Sequence, residues 1–182
     1  MDYLVSELLE QFSKVNTCFS FATKDREAFH KNIYNAPAKI FRLKQRHTSR
    51  IITVTGQDAA AHDYGKRLSE EQADGLITTE RGIGLEIATA DCLPLLLYER
   101  GSQIIVAVHC GWRGVAGGIV ENAVAAVRKL GGDASDIYAS GGPFICGACY
   151  EVGADVEQAF SGYGFSERVL WPKSRSFHLD LG

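Results

Sequence analysis

A surplus of basic residues is the first thing missing from this chain. Lys and Arg number 19 against 22 Asp and Glu, for a net charge of -3, and that balance argues against a nucleic acid polymer as partner. Long apolar runs are also lacking. No uncharged stretch approaches the ~20 residues that a membrane span requires, and the opening MDYLVSELLEQF carries Asp2, Glu7 and Glu10 where a secretory leader carries basic residues. A disulfide framework is absent: the five cysteines stand at 18, 92, 110, 146 and 149, an odd number without framework spacing, so reduced thiols in a cytoplasmic setting are expected. No internal repeat, low-complexity tract or Pro/Ser-rich linker breaks the sequence, so a single domain over 1–182 is expected. Histidines are few, and the five present include no His-x-His pair, too little to build a multicopper centre. What is present is 46% hydrophobic residues, enough for a core without a metal or disulfide staple. A soluble protein with a small ligand is the expectation.

The apolar pattern mixes both regular structures. Leu4, Val5, Leu8, Leu9 and Phe12 fall at helical spacing and predict a helix to about Asn16. CFSFAT alternates like a strand, the segment 24–37 gives only a weak, charged reading, and AKIFRLKQRHTSRIITVTG predicts two short strands around a polar stretch that places His47 at a strand edge. The segment 57–74 reads equally as loop or short exposed helix. From Gly75 onward DGLITT, GLEIATADCLPLLLYE and SQIIVAVHCGWRG are Ile-, Val- and Leu-rich runs of the kind that fills a sheet. Ile119, Val120, Ala123, Val124, Val127 and Leu130 share one face of a predicted helix over 115–130, stopped by Gly131 and Gly132. DIYAS reads as a further strand, GGPFICGACYEVG as a glycine-rich loop and DVEQAF as a short helix.

His47, Cys92 and His109 are the residues with the most chemistry to offer. Two imidazoles and a thiolate suit zinc, whose catalytic sites use three protein ligands and leave a fourth place open. Their separations of 45 and 17 residues match no zinc finger, so the spacing by itself supports no metal. Pro94 disfavours a central strand beside Cys92, and Gly111 follows His109, so both residues sit where strands give way to turns. The competing reading makes each a buried thiol or a hydrogen-bonded histidine of the core. That reading is preferred for Cys18 and for Cys110, whose side chain should face away from that of His109 on a regular strand. His30, His62 and His178 read as surface histidines. The pair Cys146 and Cys149 forms C-G-A-C, a redox or half-zinc pattern in isolation; with no second pair, a glycine-rich loop with incidental cysteines is the preferred reading.

The strings LKQRH, DGLITT, TADCLPLLL, AVHCGWRGVAGGIVENAV, GGPFICGACYEVG and HLDLG resemble, in the same order, the motifs of the YfiH/YlmD family. This family was formerly called the laccase-domain or polyphenol oxidase family and is now described as zinc-dependent purine nucleoside phosphorylases. The resemblance runs from about Phe41 to the last residue, and TADC with HCGWRG is its most specific part. It implies zinc held by His47, Cys92 and His109. It implies an α/β (α+β) sandwich of mixed β-sheets with outer helices. It also implies phosphorolysis of adenosine, inosine, guanosine and methylthioadenosine, together with deamination of adenosine, so that purine nucleoside and phosphate are the partners.

Zinc polarises a bound oxygen, which serves either reaction. Asp91, beside Cys92, is a candidate proton carrier or partner for a ligand histidine, and equally a turn cap. Gln45, two residues before His47, is expected on the same strand face and within reach of substrate. Arg113 and Gly114 of the GWRG turn, with the N–H groups that open the following helix, are candidates for phosphate, while close packing of the glycines explains the turn as well. Two departures from the family stand out. The leucine-asparagine-leucine-glycine and asparagine-arginine motifs are missing before Phe41, and the chain stops at HLDLG where members continue, as a shortened variant or a truncated piece would. Two other functions compete: a Cys92–His109 hydrolase or amidase acting on peptidoglycan precursors, and a zinc-containing interaction module without catalysis.

Overall fold

The computed structural model describes residues 3–21, 39–61, 68, 70–161, 170–173 and 176–182. Its centre is a five-stranded sheet in the order β4-β5-β8-β7-β9, formed by β4 (Ile51–Thr53), β5 (Gly75–Thr78), β7 (Leu93–Glu99), β8 (Ile104–Cys110) and β9 (Ile137–Gly141). β4 and β5 run parallel, and the remaining neighbours are antiparallel. The mixed α/β class and mixed sheets expected from the sequence are therefore present.

Alternation along β8 explains the layers. Val106, Val108 and Cys110 point to one face, where Ile77, Leu97 and Ile104 join Ile119, Ala123 and Val127 in the largest buried cluster. Those last three recur every four residues along one helix, so a single apolar stripe covers the sheet. On the opposite face a second cluster of Phe41, Val54, Leu68, Leu76 and Ile83 lies against the parallel pair β3 (Lys39–Phe41) and β6 (Ile83–Leu85). A third cluster, around Val152, Val156, Phe160 and Leu179, belongs to the C-terminal sheet β10-β12-β11, built from β10 (Glu151–Val152), β11 (Leu170–Lys173) and β12 (Ser176–Leu179). No helix among the described residues is long and apolar enough to cross a membrane.

Several elements differ from the expectation. The N-terminal helix is confined to α1 (Glu7–Glu10), because Ser6 caps it with its side chain and Tyr3–Leu4 (β1) pairs instead with Phe19–Ser20 (β2). Leu4 and Leu8 consequently stay exposed, and only Leu9 of the apolar set is fully buried. Within 57–74, the helix α2 (Gly56–Ala60) forms under a capping box of Thr55 and Asp58; residues 62–67, with His62, lie outside the described residues, as do the segment 24–37 and His30. The helix expected over 115–130 is two: α3 (Trp112–Ala116) and α4 (Ile119–Lys129). Gly118, at φ +78°, takes the left-handed conformation that separates them. Pro94 lies inside β7, opposite His109, rather than ending a strand; it is the second residue of that strand, where a missing N–H is tolerated. His178 is not on the surface. It is 5% exposed, and its Nδ1–H donates to the Gly147 carbonyl at 3.0 Å.

One buried acidic side chain stabilises the β7–β8 connection. Glu99 is 2% exposed and its carboxylate accepts N–H bonds from Gly101 (3.1 Å), Ser102 (2.7 Å) and Asp133 (3.3 Å). Removing it takes their shared acceptor from three N–H groups on exposed residues, a net loss of about 1 kcal/mol for each. Glu99→Ala is expected to destabilise the protein by about 3 kcal/mol, with part of the loss recovered in Glu99→Gln, measured as the shift in urea midpoint at constant slope.

Candidate metal centre

Strand register brings the site together. Gly75 of β5 lies opposite Val108 of β8, so the preceding residue, Asp74, falls beside His109, and the His109 N–H donates to the Asp74 carbonyl at 2.7 Å. Leu93 of β7 lies opposite Cys110, so Cys92 falls beside Gly111. Cys110 faces the other way into the main core, where burial, with Cys92 adding, pushes its thiol up to about 12. The third side chain, His47, arrives on the connection between β3 and β4.

That connection is shaped around Asp74. His47 has φ +59°, uncommon for a residue with a side chain, and this twist turns the successive N–H groups of Arg46, His47 and Thr48 toward one carboxylate at 3.1, 3.0 and 2.7 Å. The result is a backbone nest whose anion is a side chain of the same protein. The Thr48 hydroxyl adds a fourth bond at 2.9 Å and His109 Nδ1 a fifth at 2.7 Å. Asp74 is fully buried. Burial alone would raise its pKa, but the bond from His109 and those from Thr48 and Arg46 outweigh it, and the carboxyl is held below its ordinary range.

An ionised carboxylate only accepts, so His109 Nδ1 carries the proton and Nε2 presents its lone pair. This is the orientation that carboxylate partners impose on metal-ligating histidines. His109 is 4% exposed, Cys92 is half-buried and His47 is exposed, so the group opens to solvent on the His47 side. The ligand atoms of all three lie within 4.8 Å of one another. Cys92 Sγ is 3.9 Å from His47 Nε2, and the two imidazole centroids are 4.9 Å apart. Tetrahedral zinc, with bonds of about 2.0–2.3 Å, spans donor separations of about 3.3–3.6 Å, so the three atoms need only small shifts to close on one ion. Gly111 leaves the room: a Cβ there would stand 2.5 Å from His47 Cδ2 and 3.2 Å from Cys92 Sγ. The residues fit a metal ion on donor type, spacing and support.

The other candidates fall into place around this group. Gln45 is not on a strand face shared with His47, because the chain is irregular there; its amide bonds both ways to the backbone of Ala88, at 2.7 and 2.8 Å. Asp91 is exposed, and its carbonyl accepts the Ile145 N–H at 2.9 Å. The exposed Arg113 guanidinium stacks over the Trp112 ring at 4.1 Å. Gly114 is buried, and a Cβ on it would meet the Thr48 carbonyl at 2.9 Å, so its smallness lets α3 pack on the His47 connection. Burial, then the charges of Asp91 and Asp74, push the Cys92 thiol above its ordinary range, the opposite of what activates a free cysteine nucleophile. Two residues were not singled out in the sequence. Asp74 is one. Tyr150 is the other: its half-buried phenol is pushed up by burial, then by Cys92, with Arg113 opposing, which sets it within electrostatic reach of the centre.

Residues 20–182 match the family described as multi-copper polyphenol oxidoreductase laccase. The chain belongs to this laccase-like YfiH family. Among solved structures it resembles YfiH of Bacillus licheniformis, with a TM-score of 0.77 and 26% identity over 86% of this chain and 60% of that one. Among curated relatives it is 44% identical over 110 residues to a protein named purine nucleoside phosphorylase from Deinococcus radiodurans, covering 60% of this chain and 43% of the relative. It is 32% identical over 141 residues to the adenosine deaminase RL5 of an unknown prokaryotic organism, covering 76% and 54%. The chain thus spans about half the length of the curated relatives it matches. The YfiH-family membership and the His-Cys-His group agree on a site able to hold a metal.

Proposed function

We propose that this chain is a zinc-dependent enzyme of purine nucleosides: a phosphorylase for adenosine, inosine, guanosine and methylthioadenosine that also deaminates adenosine. The observation that carries this reading is the convergence of His47, Cys92 and His109 on one point, open on one side and backed by the buried Asp74. Three ligands of nitrogen and sulfur with a vacant fourth place are the donor set of catalytic zinc. The named activities of the relatives, a purine nucleoside phosphorylase and an adenosine deaminase, supply the substrate class. Five cysteines, none of them in a disulfide, suit a reducing, cytoplasmic setting.

His47, Cys92 and His109 would hold the zinc ion, which would supply Lewis-acid polarisation of a substrate or solvent oxygen. The chain's own residues do the rest. Asp74 holds His109 in the Nε2-exposed tautomer and fixes the His47 backbone. Asp91, exposed next to Cys92, is assigned the proton that the departing purine requires when the bond from ribose C1′ to the base breaks and a bond to phosphate oxygen forms. Arg113, exposed on α3 next to the buried Gly114, is assigned to the phosphate. Gln45, fixed by its two bonds to the Ala88 backbone, is assigned a contact with the nucleoside.

Metal analysis combined with phosphate-dependent release of hypoxanthine from inosine and adenine from adenosine tests this reading. The unmodified chain is expected to carry one zinc and to release base only with phosphate, and Cys92→Ala to lose both. Zinc without base release makes the chain a non-catalytic zinc module; a Cys92→Ala variant that keeps metal and turnover removes the site assignment.

A further inference from the structure

The loop from β9 to β10 carries two thiols that the metal centre does not use. Cys146 and Cys149 are both exposed and both unbridged. A reverse turn joins them, its Cys149 N–H donating to the Cys146 carbonyl at 2.9 Å and the Tyr150 N–H to the same carbonyl at 3.1 Å. Such an i to i+3 bond holds the two Cα atoms within about 7 Å, and a disulfide needs roughly 4.4–6.8 Å. The turn is anchored on either side. The Ile145 N–H donates to the Asp91 carbonyl at 2.9 Å, and the buried His178 holds the Gly147 carbonyl at 3.0 Å. A bond between the two sulfurs would therefore close within a backbone that is already folded back on itself.

The two thiols are not equivalent. Hydrogen bonding with the Cys149 side chain, then with the backbone N–H groups of Cys149 and Ala148, holds the Cys146 thiol below its ordinary range, against desolvation and the charge of Asp180. The turn itself brings the two thiols together; Cys146 is assigned the attack and Cys149 the resolution, and the single-cysteine variants below separate the two roles.

We propose that Cys146 and Cys149 form a thiol–disulfide exchange site for low-molecular-weight disulfides of the glutathione type. The Cys146 thiolate attacks one sulfur of the disulfide, forming a mixed disulfide and releasing the first small thiol. Cys149 then attacks the Cys146 sulfur, gives up its proton, closes the intramolecular bond and releases the second small thiol. The protein loses two electrons and two protons, and the small disulfide gains them.

The test is incubation of the full chain with excess oxidised glutathione at neutral pH, followed by intact mass and peptide mapping. The unmodified chain is expected to lose two hydrogens, with Cys146 linked to Cys149, and to regain them on adding dithiothreitol. Cys149→Ser is expected to trap glutathione on Cys146, and Cys146→Ser to react about tenfold more slowly at position 149. An unmodified chain without the Cys146–Cys149 link overturns the proposal, whichever other cysteine is labelled. Equal glutathione uptake by the two single variants overturns the assignment of roles. Neither result bears on the metal centre.

Discussion

Asp74→Ala is expected to cost the protein about 4 kcal/mol and its metal site together. Five donors converge on this fully buried carboxylate, and alanine leaves them facing a cavity. Deleting one partner of a buried charge-assisted network costs about 3–5 kcal/mol, and the upper part of that range applies because three of the donors are backbone N–H groups that cannot rotate to find other acceptors. The His47 connection, twisted at φ +59° only to serve this carboxylate, is expected to relax. Asp74→Asn separates the two consequences. Its amide keeps one oxygen and puts an NH2 group in place of the other; at Oδ1 that group would face the His47 N–H and His109 Nδ1, and at Oδ2 the Arg46 and Thr48 N–H groups. A donor therefore opposes donors in either orientation. The expected result is a smaller loss of stability, about 2 kcal/mol, with zinc affinity down by about 10–100-fold, the usual effect of removing a carboxylate behind a ligand histidine. Urea denaturation of the metal-free proteins reads the first quantity and chelator competition the second. An Asp74→Asn protein with unaltered zinc affinity would show that His109 does not depend on this partner for its orientation.

The contrast between Asp74 and the three ligands shows what could be read in advance. His47, Cys92 and His109 lie in distinctive strings, and their side chains are of types that demand an explanation. Asp74 precedes a buried run as the first residue of DGLITT, and an aspartate before a glycine reads as an ordinary turn. Its importance comes from register: once Gly75 is opposite Val108, Asp74 must meet His109, but that pairing joins segments about thirty residues apart and no local pattern announces it. The strand-edge reading of His47 misses its twist for a related reason. Nothing about a histidine signals a positive φ, and the nest that imposes it is built by a residue further along the chain. The break between α3 and α4 is a different case, since Gly117 and Gly118 are visible; helical spacing continues across them, and periodicity outvoted the breaker. The sheet and α4 were legible because their apolar periods are long and regular. The connections between them were not, because tertiary hydrogen bonds fix their shape.

Gly111→Ala is expected to abolish zinc binding while leaving the fold nearly as stable as before, the reverse of a core substitution. Gly111 has φ -80° and ψ 156°, a conformation open to alanine, so no backbone strain follows. The obstruction lies in the site itself. The new methyl would stand 2.5 Å from His47 Cδ2, 3.3 Å from His47 Nε2 and 3.2 Å from Cys92 Sγ, inside the contact distance of all three atoms. His47 is the exposed member of the group, so its ring can swing into solvent at a cost of about 1 kcal/mol or less. Swinging out takes Nε2 away from Cys92 and His109, and donors must hold position to about 0.5 Å for a metal site to work. Zinc affinity is expected to fall on the order of 100-fold or more, and purine release with it. The urea midpoint of the metal-free protein should move little, whereas Asp74→Ala moves both. If Gly111→Ala retained zinc at the affinity of the unmodified chain, the ion could not be seated between His47 and Cys92, and the geometry that supports the enzyme reading would have to be sought elsewhere in the molecule.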